Sequence, residues 1–355
     1  MSSQFTGTGG RIAAPAPRSA LRNFTGTILP GLNFVTFRDL LAMFTGEHLD
    51  MNHVTGTGLL RYGAAWSRAP FRDRFEDYDP SAAAGDQSGN GYQGDIAGDL
   101  DGQGPWTVVT SAAVAGMFNW AVSETGVLDR VLSARFAPTG ANTGNVSTAT
   151  ATLTAEDDRA LSLVPATDRC SFRGWFTLNA AGAGDGGSLD FRLTTTGGVQ
   201  AFRLAFSSDG ALNIVDNGGT TAYAAAFTAG NKIAFHVSGT GAGTFNVHLR
   251  DVTANGAWTL IVAGATFIAG ATPLTVGVFS CEVLNAASVL PVAVVDELEV
   301  GFTNLRTQGI QVPDGTGIMK VAVEGTRLLN LDEWALAPDS ATVANATVEV
   351  VAAGE

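Results

Sequence analysis

Between Phe172 and Val300 apolar and polar side chains alternate with a period of two, the spacing at which one face of a strand is buried and the other is wet. Leu189, Phe191 and Leu193 show it, and so do Phe202, Leu204 and Phe206. Similar short runs follow at Cys170–Leu178, Lys232–Val237, Thr244–Leu249, Trp258–Val262, Leu274–Phe279 and Val292–Val300. Glycine-rich stretches such as Gly182–Gly187, Asn217–Gly219 and Gly239–Gly243 separate them and act as turn punctuation. Many short strands linked by glycine-rich hairpins, with no helical period between them, predict an antiparallel β-sandwich over residues 72–302.

The flanks have a different texture. Residues 1–71 carry Phe5-Thr-Gly, Phe24-Thr-Gly, Phe44-Thr-Gly and Val54-Thr-Gly at irregular intervals, which defines no solenoid. One helix is predicted at Thr36–Phe44, where Phe37, Leu40, Leu41 and Phe44 share a face. So short a segment cannot bury its own aromatics, so it reads as an irregular N-terminal arm that hides Phe5, Phe24, Phe37 and Phe44 against another subunit. Residues 303–355 read as a small β-rich C-terminal extension, with strands at Ile318–Glu324 and Ala346–Val351 and a turn or helix at Asn330–Trp334.

Composition narrows the partners. The formal charge is −13, and Lys232 and Lys320 are the only lysines among the 20 basic residues. No basic stripe is available to displace counterions from phosphates, which excludes non-specific nucleic-acid binding and disfavours an anionic membrane. Cys170 and Cys281 are too few for a disulfide framework and are expected as buried free thiols, with one inter-strand disulfide between them as the alternative. No export signal is visible in the first residues and no apolar run reaches membrane-spanning length.

Several local strings resemble the concanavalin A-like lectin/glucanase superfamily, and in particular its laminin-G-like members. They are Asp73-Arg-Phe-Glu-Asp77, Trp106-Thr-Val-Val109, Trp120-Ala-Val-Ser-Glu-Thr-Gly-Val-Leu128, Phe172-Arg-Gly-Trp-Phe-Thr-Leu178, Pro273-Leu-Thr-Val-Gly277 and Val295-Asp-Glu-Leu-Glu-Val300. The resemblance implies a jelly-roll topology for the sandwich. It says far less about activity, because one fold hosts many functions.

Candidate chemistry is thin. Asp296-Glu297-Leu298-Glu299 invites a glycosidase reading, but a retaining pair needs carboxyls about 5 Å apart across the scissile bond. The cluster reads instead as a solvated strand face. His236 and His248 fall on two strands expected to pair, with no third ligand nominated for zinc, and read as outward or hydrogen-bonded strand histidines. The loop carrying Asp86, Asn90, Asp95, Asp99 and Asp101 is rich in oxygen donors. It reads as a plain polar loop with no cofactor, and a structural calcium held by Asp95, Asp99 and Asp101 is the alternative. Trp106, Trp120, Trp175 and Trp258 read as core; among aromatics in loop-like contexts, Tyr92 and Tyr223 are the choices for stacking a sugar. No nucleophile elbow, phosphate loop, dinucleotide fingerprint or zinc-protease motif occurs.

A lectin-like sandwich with an aromatic arm and few lysines resembles accessory structural proteins of tailed bacteriophages and gene-transfer particles. The expectation is a non-enzymatic virion surface protein (fibre, spike or decoration protein), oligomeric. Its arm would be anchored to capsid, portal or tail proteins and its sandwich would display a face to host-surface glycan. A polysaccharide-degrading enzyme on the same fold and a ligand-free capsid cement protein are the alternatives.

Overall fold

The computed structural model describes residues 22–29, 31–36, 39, 46–55, 60–81, 99–110, 120–123, 132–138, 143–182, 185–285, 289–312, 319–320, 334–338 and 346–354. The chain begins with β1 (Arg22–Ile28), β2 (Val35–Thr36), β3 (Gly46–Thr55), β4 (Leu60–Ala64) and β5 (Phe71–Asp73). β6 (Trp106–Thr110), β7 (Trp120–Ser123), β8 (Ser133–Phe136) and β9 (Val146–Thr152) follow. Next come β10 (Cys170–Leu178), β11 (Gly186–Thr194), β12 (Gln200–Ser207), β13 (Leu212–Asp216) and β14 (Gly219–Tyr223). β15 (Lys232–Gly239), β16 (Thr244–Asp251), β17 (Thr259–Thr266), β18 (Val276–Asn285) and β19 (Ala293–Phe302) complete the central part. A single helical turn, α1 (Leu305–Gln308), precedes β20 (Ile310–Val312), β21 (Met319–Lys320), β22 (Trp334–Pro338) and β23 (Ala346–Gly354).

The central strands form two antiparallel sheets, and together they are the predicted sandwich. One runs β17-β16-β15-β10-β19-β8-β7, with β5 also paired to β19; the other runs β14-β13-β12-β11-β18-β9-β6. Their inner faces meet in one core, as the two-residue period requires. Phe191 on β11 lies 4.5 Å from Phe235 on β15 and 5.7 Å from Phe176 on β10, centroid to centroid. Phe279 on β18 receives Trp106 and Trp120 edge-on, each at 4.7 Å. Cys170 and Cys281 are buried and unpaired.

β10 departs from simple alternation, since it is buried on both faces. Its register with β19 shifts between Gly174 and Phe176. At Gly174 an added Cβ would stand 2.7 Å from the Glu297 carbonyl and 2.9 Å from the Phe235 ring, so only glycine fits this crossing.

Strands from both ends of the chain alternate in two smaller sheets, β1-β23-β3-β21 and β2-β22-β4-β20. Phe34, Ala65, Trp66, Leu305, Ala335 and Ala337 make a second apolar cluster there. Of the helix predicted at Thr36–Phe44, only Thr36, at the end of β2, and Asp39 are among the described residues. The Thr36 hydroxyl accepts from the Asp39 N–H at 3.2 Å and the Asp39 carboxylate from the Thr36 N–H at 2.9 Å, the reciprocal bonding of a capping box. Phe5, Phe37 and Phe44 lie outside the described residues, and of Phe24 only its strand position on β1 is described.

Candidate functional site

The outer face of the eight-stranded sheet carries a row of ionisable residues. Strand register aligns them in one row: Arg72 on β5 opposite Glu299 on β19, Glu299 opposite Arg173 on β10, Arg173 opposite His236 on β15, and His236 opposite His248 on β16. Alternation does send Glu297 and Glu299 away from the sandwich core, but the solvated strand face expected for them is a buried one. Glu297 is 1% exposed and Glu299 2% exposed, with Asp296 buried beside them. The reason is long-range: residues 31–36 and Asp39 lie over this face, and Arg72 and Arg74 at β5 reach across to its carboxylates.

Glu297, Glu299 and Asp39 are each held by a guanidinium. Arg173 meets Glu299 through Nε at 3.1 Å and holds both oxygens of Asp39, at 2.8 and 3.0 Å. Arg72 bonds Glu299 through Nε and Glu156 through Nη1 at 3.0 Å, while Arg74 pairs with Glu297 at 3.2 Å. Burial works against the charge on Arg72 and Arg173, yet the facing carboxylates win and raise both above the usual arginine value. Carboxylates neutralised and covered in this way are not positioned to flank a scissile bond from solvent. The histidines are equally enclosed. His236 Nε2 lies 2.9 Å from the Ser171 hydroxyl, and burial, helped by Arg173 and His248, holds the ring well below the ordinary histidine range.

Where this network reaches the surface it forms the wall of an open cleft of about 610 Å³. Arg72, Arg74, Glu76, Asp77, Glu156 and Asp158 supply its charges, and Phe71, Phe75, Tyr78 and Pro105 its apolar lining. The turn after β5 is fixed by Asp73, which accepts hydrogen bonds from the Tyr78 hydroxyl, the Trp106 indole and the Phe75 N–H. Burial raises the Asp73 carboxyl against the pull of those three donors. Phe75 is forced to a φ of 58°, a left-handed conformation unusual for a bulky residue, and its ring stacks on Trp106 at 6.1 Å. Asp158 across the cleft has a φ of 64°. Strained backbone of this kind persists where the surroundings over-determine it, and it clusters at ligand sites.

The residues singled out from sequence are scattered. Asp99 is buried and accepts the Asp101 N–H at 3.0 Å, and Asp101 accepts the Val108 N–H at 2.7 Å, so both carboxylates brace the approach to β6. Asp95 and Tyr92 lie outside the described residues. Among the described residues no group of three or more His, Cys, Asp and Glu side chains is placed to hold a metal ion. Tyr223 sits on β14, the outermost strand of its sheet, rather than in a loop, and is half-buried against the core. The cleft itself was missed, although a signal existed: Arg72 and Arg74 share the two-residue spacing of Glu297 and Glu299.

No protein-family model and no curated protein matches this chain. Solved structures with some likeness include lectin II from Ulex europaeus, 11% identical with a TM-score of 0.39, covering 57% of this chain and 94% of that one. Arcelin-5, a lectin-like defence protein from Phaseolus vulgaris, is 10% identical at a TM-score of 0.37, covering 56% and 99%. An alginate lyase from Pseudomonas aeruginosa is 15% identical at 0.32, covering 48% and 83%.

Proposed function

We propose that the chain is a glycan-binding display protein whose sandwich takes a neutral, polyhydroxylated ligand in the cleft beside β5. The observation that carries this reading is the cleft itself: about 610 Å³, open, and lined by guanidinium donors, carboxylate acceptors and a few apolar surfaces. Convergent polar groups in a concave site are what fixes a sugar's hydroxyls. The ligand is neutral because both arginines already face carboxylates, while Glu76, Asp77 and Asp158 leave the rim acidic. Binding is favoured over hydrolysis because Glu297 and Glu299 lie covered beneath the wall.

The finer reading is a virion surface protein, fixed to capsid, portal or tail partners through Phe5, Phe24, Phe37 and Phe44 and oligomeric on the particle. Its support is the sequence resemblance to accessory structural proteins of tailed phages. Mass spectrometry of purified particles should then find the chain at stoichiometric level, and its absence would remove this finer reading.

On an array of bacterial and animal glycans, the purified chain should bind neutral oligosaccharides. Glu156→Ala with Asp77→Ala should weaken the best of these tenfold or more, about 1.4 kcal/mol, with the β-sheet circular dichroism retained. Tyr223→Ala should leave binding as it was. The opposite pattern, cleft variants neutral and Tyr223→Ala defective, would move the site to β14.

A further inference from the structure

On the seven-stranded sheet the side chains that do not enter the core make a second polar face. Leu189, Phe191 and Leu193 turn inward from β11, so Ser188, Asp190 and Arg192 turn outward. By the same alternation Arg203 turns outward from β12, and Ser280 from β18. Register then sets Arg192 directly opposite Arg203 and Asp190 directly opposite Ser280. Like charges that face each other across a strand pair destabilise it.

The carboxylate beside this pair of arginines is already taken. Asp190 is buried and accepts from Arg203 Nε at 2.6 Å and from the Ser188 hydroxyl at 2.9 Å. Arg192 has no counterion of that kind among the described residues. Its Nη2 donates to the Ser280 hydroxyl at 3.2 Å, and its Nε is buried without a partner. Burial pulls the Arg192 guanidinium below the usual arginine value; Asp190 opposes this and Arg203 adds to it. Glu282, also on this face, stands opposite Ser188 and acts on Asp190 and Arg203 rather than on Arg192. The chain has 33 acidic residues against 20 basic ones, so the missing counterion is no consequence of composition.

We propose that Arg192, Arg203 and the Ser280 hydroxyl form an oxyanion site on this face, for the carboxylate or sulfate group of an acidic saccharide. The anion supplies the negative charge that Arg192 lacks and bridges two guanidiniums that otherwise repel, each of them a planar fork of donors suited to such a group. Thr148 and Thr150 on β9 and Asn213 on β13 continue the face on either side with hydroxyl and amide groups, which suits the rest of a sugar. Neither arginine lines the cleft beside β5, so this site is separate from the neutral one.

Isothermal titration of the full chain at fixed ionic strength, with sodium glucuronate and sodium sulfate as titrants, tests this. At least one of the two should bind: glucuronate alone assigns a carboxylate, sulfate alone a sulfate ester. Removing Arg203 would strand Asp190, so Arg192 carries the test. Arg192→Gln should weaken the bound anion about tenfold or more, while the anion-free urea midpoint stays at or above that of the wild type, because a repulsion is removed rather than a pair broken. Arg192→Lys, which keeps the charge and the apolar stem but loses the fork, should retain part of the affinity. Absence of binding by both anions, or binding unchanged in Arg192→Gln, would overturn the proposal. So would a lowered urea midpoint in both variants, since the fold itself would then be using the guanidinium.

Discussion

Replacing Arg173 with methionine should lower the unfolding free energy by about 3–5 kcal/mol, the cost of breaking a buried ion pair by removing one partner. Methionine fills much of the same volume, so the loss is electrostatic. The Asp39 and Glu299 carboxylates, both within 3.1 Å of the guanidinium, stay buried without their cation. Equilibrium urea unfolding reads the effect as a fall in midpoint at constant slope. A loss below about 1 kcal/mol would mean that water already reaches this network, as at an exposed pair.

Phe191→Ala should cost a similar amount, about 3–5 kcal/mol, by a different route. The ring is fully buried between the sheets, and Phe172, Phe176, Phe206 and Phe235 surround it at 4.5 to 6.4 Å. These neighbours sit on three strands in two sheets and cannot collapse into the void together, so lost transfer energy and a residual cavity add. Phe191→Leu should recover most of the stability. An alanine variant within 1 kcal/mol of wild type in the same urea titration would contradict a core packed face to face at this point.

These two residues mark the border of what local pattern reveals. Phe191 belongs to the strand whose alternation is cleanest, and such strands announce one face for the core and one for water. The expected inner face of β11 and β12 is the observed one, with Leu189, Phe191, Leu193, Phe202, Leu204 and Phe206 all buried. Arg173, Glu297 and Glu299 obey the same rhythm, and it puts them on the side facing away from the sandwich core. What covers that side comes from residues 31–36 and Asp39, more than a hundred positions away in sequence, and no local period encodes a contact of that span. Charge complementarity at matched spacing was the available clue, in Arg72 and Arg74 against Glu297 and Glu299.

The flanks teach the same lesson. Read separately, residues 1–71 and 303–355 look like an irregular arm and a small extension. In the structure β4 pairs with β20 and β22, and β3 with β21 and β23, so strands from the two ends complete one another. A strand that finds its partner at the far end of the chain carries no hairpin signal. Tyr223 was legible as an aromatic among small residues but not as part of β14, because Thr-Thr-Ala-Tyr between glycine and alanine runs has no alternation to read.

The cleft beside β5 is the claim on which the functional account turns. Hydrogen-exchange mapping of the full chain with and without a saturating amount of its best array oligosaccharide addresses it directly. Protection should appear at residues 71–78 and 154–158, the two walls that face each other across the opening. Protection confined to β14, or spread over the sheets with those walls unchanged, would contradict the account.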